Sequence, residues 1–196
     1  MRVERFSRDE LLARLAETRL RGFDGARVYA DASLDLVEMS ADDLAPAQRY
    51  VLRPTVQEIL SLREELLAHG LDIFELNGGA YVRGIPVIPP VVEESVEPDG
   101  RTVWIINDGI HRVYAARSLG LPITVVRASG VSHPYYALAL PGGWPEVEEL
   151  DELPERYEKK TYRDPSNYKA LFREFNDVFP GVQKERRKSN PEHLRA

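Results

Sequence analysis

An apolar run Val-Trp-Ile-Ile at 103–106 breaks at Asn107-Asp108-Gly109, resumes as a helix-forming segment, stops at Gly120 and returns as Ile-Thr-Val-Val at 123–126. No other stretch limits the fold as tightly. A short apolar run of this kind reads as a strand buried in a sheet, and a helix joining two such strands must lie on a face of that sheet. The chain is therefore expected to be a layered α/β protein, with this helix spanning 111–119.

The flanking sequence supplies the other elements. Ser7 and Glu10 have capping-box spacing, and Leu11, Leu12, Leu15 and Leu20 follow as an apolar stripe that Gly22 ends, which predicts an N-terminal helix. Residues 34–39 are compatible with a short strand. Thr55 and Glu58 form a second capping box, and Val56, Ile59, Leu60, Leu62, Leu66 and Leu67 mark an amphipathic helix that stops at Gly70. Asn77-Gly78-Gly79 reads as a hairpin turn between strands at 72–76 and 80–82, because an Asn-Gly pair accepts the positive φ of a tight turn. The run 85–92 carries prolines at 86, 89 and 90, which lack backbone donors and place it at a sheet edge. Farther on, Tyr168, Leu171, Phe172, Phe175 and Phe179 recur at helical spacing and predict one more helix with an aromatic face.

The fold class expected from this order is α/β of the α+β kind: a small mixed sheet flanked by helices, with a helical C-terminal extension. Residues 1–30 form an N-terminal helical extension, 31–145 the core, and 146–196 an acidic linker, an amphipathic helix and a basic tail.

With 196 residues, 43% of them hydrophobic, the chain can bury a core without cross-links. It contains no cysteine, which excludes disulfides, thiolate metal sites and a cysteine nucleophile. No signal-peptide pattern or bilayer-spanning apolar run is visible, so the expected location is the cytoplasm with no membrane partner. A net charge of −6 gives no general attraction to nucleic acid. The cluster Lys184, Arg186, Arg187 and Lys188 reads as a solvated tail.

The chemistry concentrates at the glycine turn. Where a buried strand passes through Gly109 into a helix, unpaired amides and the positive end of the helix dipole converge on an anion. Arg112 and His111 in the first helical turn are placed to donate to phosphate oxygens. Asp108 is placed to cap the helix or to hold a magnesium ion. On these residues alone, a cap, a surface histidine and an ordinary ion pair account for the pattern equally well.

Pro-x-x-Pro-Pro-Val at 86–91, Asp-Gly-x-His-Arg at 108–112, Ala115-Ala116, Leu119-Gly120 and the closing Ile-Thr-Val-Val strand together resemble the ParB/sulfiredoxin superfamily. The resemblance runs over residues 34–128. It implies a nucleotide whose phosphates sit on Gly109, Ile110, His111 and Arg112, with ATP or ADP, or alternatively CTP, as ligand and Mg2+ beside it. Sulfiredoxins carry a cysteine at the position of Ile110, so sulfinic acid reduction is excluded. Partitioning proteins have Gly-Glu-Arg-Arg and a following helix-turn-helix domain, neither of which is visible here, and nucleic acid is not the expected partner. The Asp-Gly-x-His-Arg form is most similar to the branch that phosphorylates free serine. That implies an ATP- or ADP-dependent phosphotransferase acting on a small hydroxylated molecule, with a homodimer as an open assembly.

In that branch a glutamate after the first core strand is the base, but this chain has Gln48 there, which cannot accept the proton. The base is then sought among Asp108, Glu58, Glu93 and Glu94, and Glu93 is chosen because it follows the Pro-Pro-Val strand. Arg53, at the start of the second helix, is expected to reach a phosphate from the opposite wall. The aromatics of 132–136 and 141–144 are expected in the core more than in a lid, and His69 and His193 suggest no metal. The alternative to a kinase is a nucleotide-gated adaptor that engages protein or DNA, which the loss of the glutamate favours.

Overall fold

The computed structural model describes residues 2–183. The basic tail and His193 lie outside the described residues. In chain order the first elements are β1 (Val3–Ser7), α1 (Arg8–Ala16), β2 (Ser33–Met39), β3 (Leu44–Ala45), β4 (Tyr50–Leu52) and α2 (Arg53–Leu67). They are followed by β5 (Gly78–Val82), β6 (Ile85–Val87), β7 (Val91–Val96), β8 (Thr102–Asp108) and α3 (Ile110–Ser118). β9 (Ile123–Ser129), β10 (Glu148–Leu150) and α4 (Phe175–Val178) complete the list.

The main sheet has five strands in the order β2-β9-β7-β8-β3. β7 runs parallel to β9 and antiparallel to β8, so the sheet is mixed, as expected. Alternation along its strands makes two apolar faces. Val92, Ile106, Ile123 and Val125 pack with Val56 and Leu66 of α2 and Val113 and Ala116 of α3. Val91, Val126 and Ala128 pack with Leu11 and Leu15 of α1 and with Phe175 and Phe179. Ile105 joins Tyr135, Tyr136, Leu171 and Phe172 in a third cluster under the C-terminal segment.

The strand-turn-helix segment forms as the sequence predicts, one residue earlier at the helix start. Ser7 caps α1 by accepting from the Glu10 amide at 3.1 Å, but the helix ends at Ala16, and Leu20 instead bridges Arg173 across the C-terminal segment. α2 starts at Arg53 rather than at Thr55. Pro54 opens its first turn, where a fixed φ and a missing amide do no harm, and the Thr55–Glu58 capping box is not used.

Three expectations are corrected. The hairpin is one step later than predicted: β5 and β6 turn at Arg83-Gly84, and residues 72–76 form no strand. The Gly78-Gly79 pair serves close approach instead, since a Cβ on Gly79 would lie 2.2 Å from the Phe6 ring of the neighbouring β1. The prolines behave as expected in β6, an edge strand containing Pro86, whereas β7 begins immediately after Pro90 and is the centre of the main sheet. The C-terminal helix is broken. Leu171, Phe172, Phe175 and Phe179 are buried, but a 3-10 turn at Tyr168–Leu171 gives way to extended chain before the four-residue α4. The break lets the Arg21 amide pair with the Phe172 carbonyl and delivers Arg173 into the interior.

Candidate functional site

Gly109 caps α3 with φ 90° and ψ 23°, a left-handed conformation that glycine adopts without strain. Its pocket is as restrictive as its dihedral, because a Cβ there would sit 2.8 Å from Pro90 Cβ and 2.9 Å from Arg112 Nη2. The turn thus nests against the proline loop that leads into β7.

Arg112 is built into that nest. Its Nη2 donates to Asp108 Oδ2 at 3.1 Å and its Nη1 to the Ile88 carbonyl, with the side chain only 14% exposed. Burial draws the guanidinium below its usual pKa, and Asp108 offsets part of that effect. In this arrangement Arg112 braces the turn by tying the proline loop to the helix start. Asp108 is committed to the same pair. Among the described residues, no cluster of three or more His, Asp or Glu side chains could hold a metal.

His111 occupies the first turn of α3, and its Nε2 accepts the Leu52 amide at 3.0 Å. That bond fixes the tautomer with the proton on Nδ1. Leu52 is the N-cap of α2, so the bond joins the N-terminal ends of α2 and α3. Arg53, the next residue, stands at this junction with its side chain 48% exposed. Its Nε donates to Glu149 Oε1 at 2.7 Å, and its Nη1 lies 3.2 Å from Asp151. Glu149 Oε2 accepts from Tyr114 Oη at 2.9 Å. The hydrogen bond to Glu149, then the charge of Asp151, raise the Arg53 pKa, and the bonds from Arg53 and Tyr114 lower that of Glu149.

Glu93 is not at this junction. It points into the opposite side of the sheet, is 1% exposed, and accepts from Arg173, Asn107 and Tyr29. A carboxylate sealed in that way cannot take a proton from a substrate hydroxyl, and its assignment as base is corrected. Glu58 and Glu94 are exposed, and Gln48 donates to the Tyr50 carbonyl at 2.8 Å. Tyr135, Tyr136 and Trp144 are buried, as the sequence suggested.

The structure thus brings together Asp108, Gly109, Ile110, His111 and Arg112 in one turn, sets Arg53 beside it, and removes Glu93. Sequence reasoning missed Tyr114, Leu52 and Glu149. Tyr114 lies three residues after His111, on the same side of a helix, and that spacing is the one signal that could have found it.

A mixed sheet with a Gly-x-His-Arg turn feeding a helix defines a ParB-like α+β domain. The model of the ParB CE domain matches residues 10–148, and the chain belongs to that family. Among solved structures, protein Atu1540 from Agrobacterium tumefaciens is similar at 15% identity with a TM-score of 0.30, over 63% of this chain and 43% of that one. No curated protein matches. No helix among the described residues is long and apolar enough to cross a membrane.

Proposed function

We propose that this chain binds the phosphates of a nucleotide at the junction of α2 and α3 and acts as a nucleotide-responsive binding module. The observation that carries this reading is the His111–Leu52 bond, which brings the N-terminal ends of α2 and α3 together beside the half-exposed guanidinium of Arg53. Arg53 and the amides of the first α3 turn supply the grip. Arg112 and Asp108 hold the shape of the turn, and ATP, ADP and CTP are the ligands to test.

A binding module is favoured over phosphoryl transfer because Gln48 and Glu93 provide no base. The phosphotransferase reading retains Asp108, the one carboxylate within the turn itself. Isothermal titration with each nucleotide, with and without magnesium, tests binding. Saturable binding that weakens in Arg53→Ala is the expected result, and absence of binding by all three overturns the reading. Slow nucleotide turnover, unchanged by small hydroxylated acceptors, separates the module from the kinase.

A further inference from the structure

We propose that the acidic strand β10 is a strap that stands in for the ligand's phosphates, closing the anion site in the free protein until a polyphosphate displaces it. The proposal rests on the binding reading above and names the regulation of that same site. Glu149 uses both carboxylate oxygens, one on Arg53 of α2 and the other on Tyr114 of α3. One carboxylate therefore spans the two helices whose starts His111 joins, in the two-oxygen manner in which a phosphate also engages paired donors. Asp151 adds a second negative charge to the same guanidinium. Two carboxylates on one arginine are matched by a diphosphate or longer chain better than by a single phosphate.

The strap is held lightly where it covers the site and firmly at its ends. Its ladder to β4 is parallel, two-stranded and three residues long, too small to be stable alone. Asp151 is 75% exposed, and ion pairs in contact with water are weak. On one side, Trp144 is buried and donates from Nε1 to the Ala41 carbonyl at 2.9 Å. On the other, Lys160 donates to Tyr135 Oη and Tyr136 Oη at 2.9 and 2.6 Å. Between those anchors the Glu148 amide donates to the Arg49 carbonyl at 2.8 Å and Tyr157 packs edge-on against Tyr50, so lifting the strap breaks these few contacts and leaves the C-terminal segment docked. Residues 146–158 carry seven carboxylates, so a bound polyphosphate repels the strap and the two occupants exclude each other.

The test titrates inorganic phosphate, pyrophosphate, ATP and CTP into the full chain and into Glu149→Gln/Asp151→Asn. The double variant is expected to bind pyrophosphate and the triphosphates at least about threefold more tightly than the wild type, with inorganic phosphate the weakest ligand of both. In the wild-type chain, which needs no substitution, ligand should speed hydrogen exchange at the β10 amides. Equal or weaker affinity in the double variant, or unchanged exchange on binding, overturns the strap and leaves the site. No binding by either protein overturns the site itself.

Discussion

Arg173 and Glu93 meet in the interior through two hydrogen bonds of 2.9 Å, Nε to Oε1 and Nη2 to Oε2, with side chains 0% and 2% exposed. Burial opposes the charge on Arg173, but Glu93, with Tyr29 beside it, more than compensates and raises its pKa. The pair joins the C-terminal segment to the central strand of the main sheet. Removing one partner strands a buried charge, at a cost of about 3–5 kcal/mol. Arg173→Met should therefore lower the urea midpoint sharply, and Arg173→Met/Glu93→Leu should regain part of the loss. A single variant as stable as the wild type would contradict this account.

The same network gives folding a high-pH limit. Burial, followed by the charge of Glu93, pushes the Tyr29 phenol well above its usual value, and burial does the same for Tyr135. A phenol raised in the folded state keeps its proton when the unfolded chain has released it. Its contribution to stability is complete below about pH 10 and is lost as pH rises through the folded value. Denaturation measured between pH 9 and 11 should show stability falling, and Tyr29→Phe should reduce the slope. An identical slope in that variant would count against the assignment.

The sequence made the turn legible because its signals are local: an apolar run, a glycine, and His111 and Arg112 one step into a helix. What each side chain does there was hidden. Arg112 reads in the sequence as a phosphate ligand, and nothing local shows that it also lies against Gly109 and donates to the Ile88 carbonyl. Glu93 carries no local sign that its partner lies 80 residues away at Arg173, and the acidic run at 146–158 reads as a linker because its pairing with β4 and Arg53 is non-local. The C-terminal helix failed for a related reason. Periodicity recorded which residues are buried, but Arg173 in their midst had to turn inward, and extended chain places it there.

Gly109 should tolerate no side chain. A φ of 90° costs a non-glycine residue about 1–3 kcal/mol, and the added methyl would also press on Pro90 and Arg112. Gly109→Ala is expected to lose at least that much stability by urea denaturation and to weaken nucleotide binding, because the α3 amides move with the turn. Full stability in the variant would show that the turn can relax freely.

Arg53 and Arg112 should separate grip from scaffold. Arg53 is exposed and its side chain pairs with Glu149 and Asp151 of the strap, contacts in reach of water, so Arg53→Ala should leave the melting temperature nearly unchanged. If it grips phosphate, its loss should weaken nucleotide binding about tenfold, as expected for a charge-assisted contact. Arg112→Ala strips the Ile88 carbonyl and the mostly buried Asp108 of a donor and costs about 1–3 kcal/mol of stability. Its effect on binding should follow its effect on folding, and adding Asp108→Asn should recover part of both. The opposite pattern, with Arg53 silent in binding and Arg112 acting on affinity at full stability, would return Arg112 to the ligand and make Arg53 merely the anchor of β10.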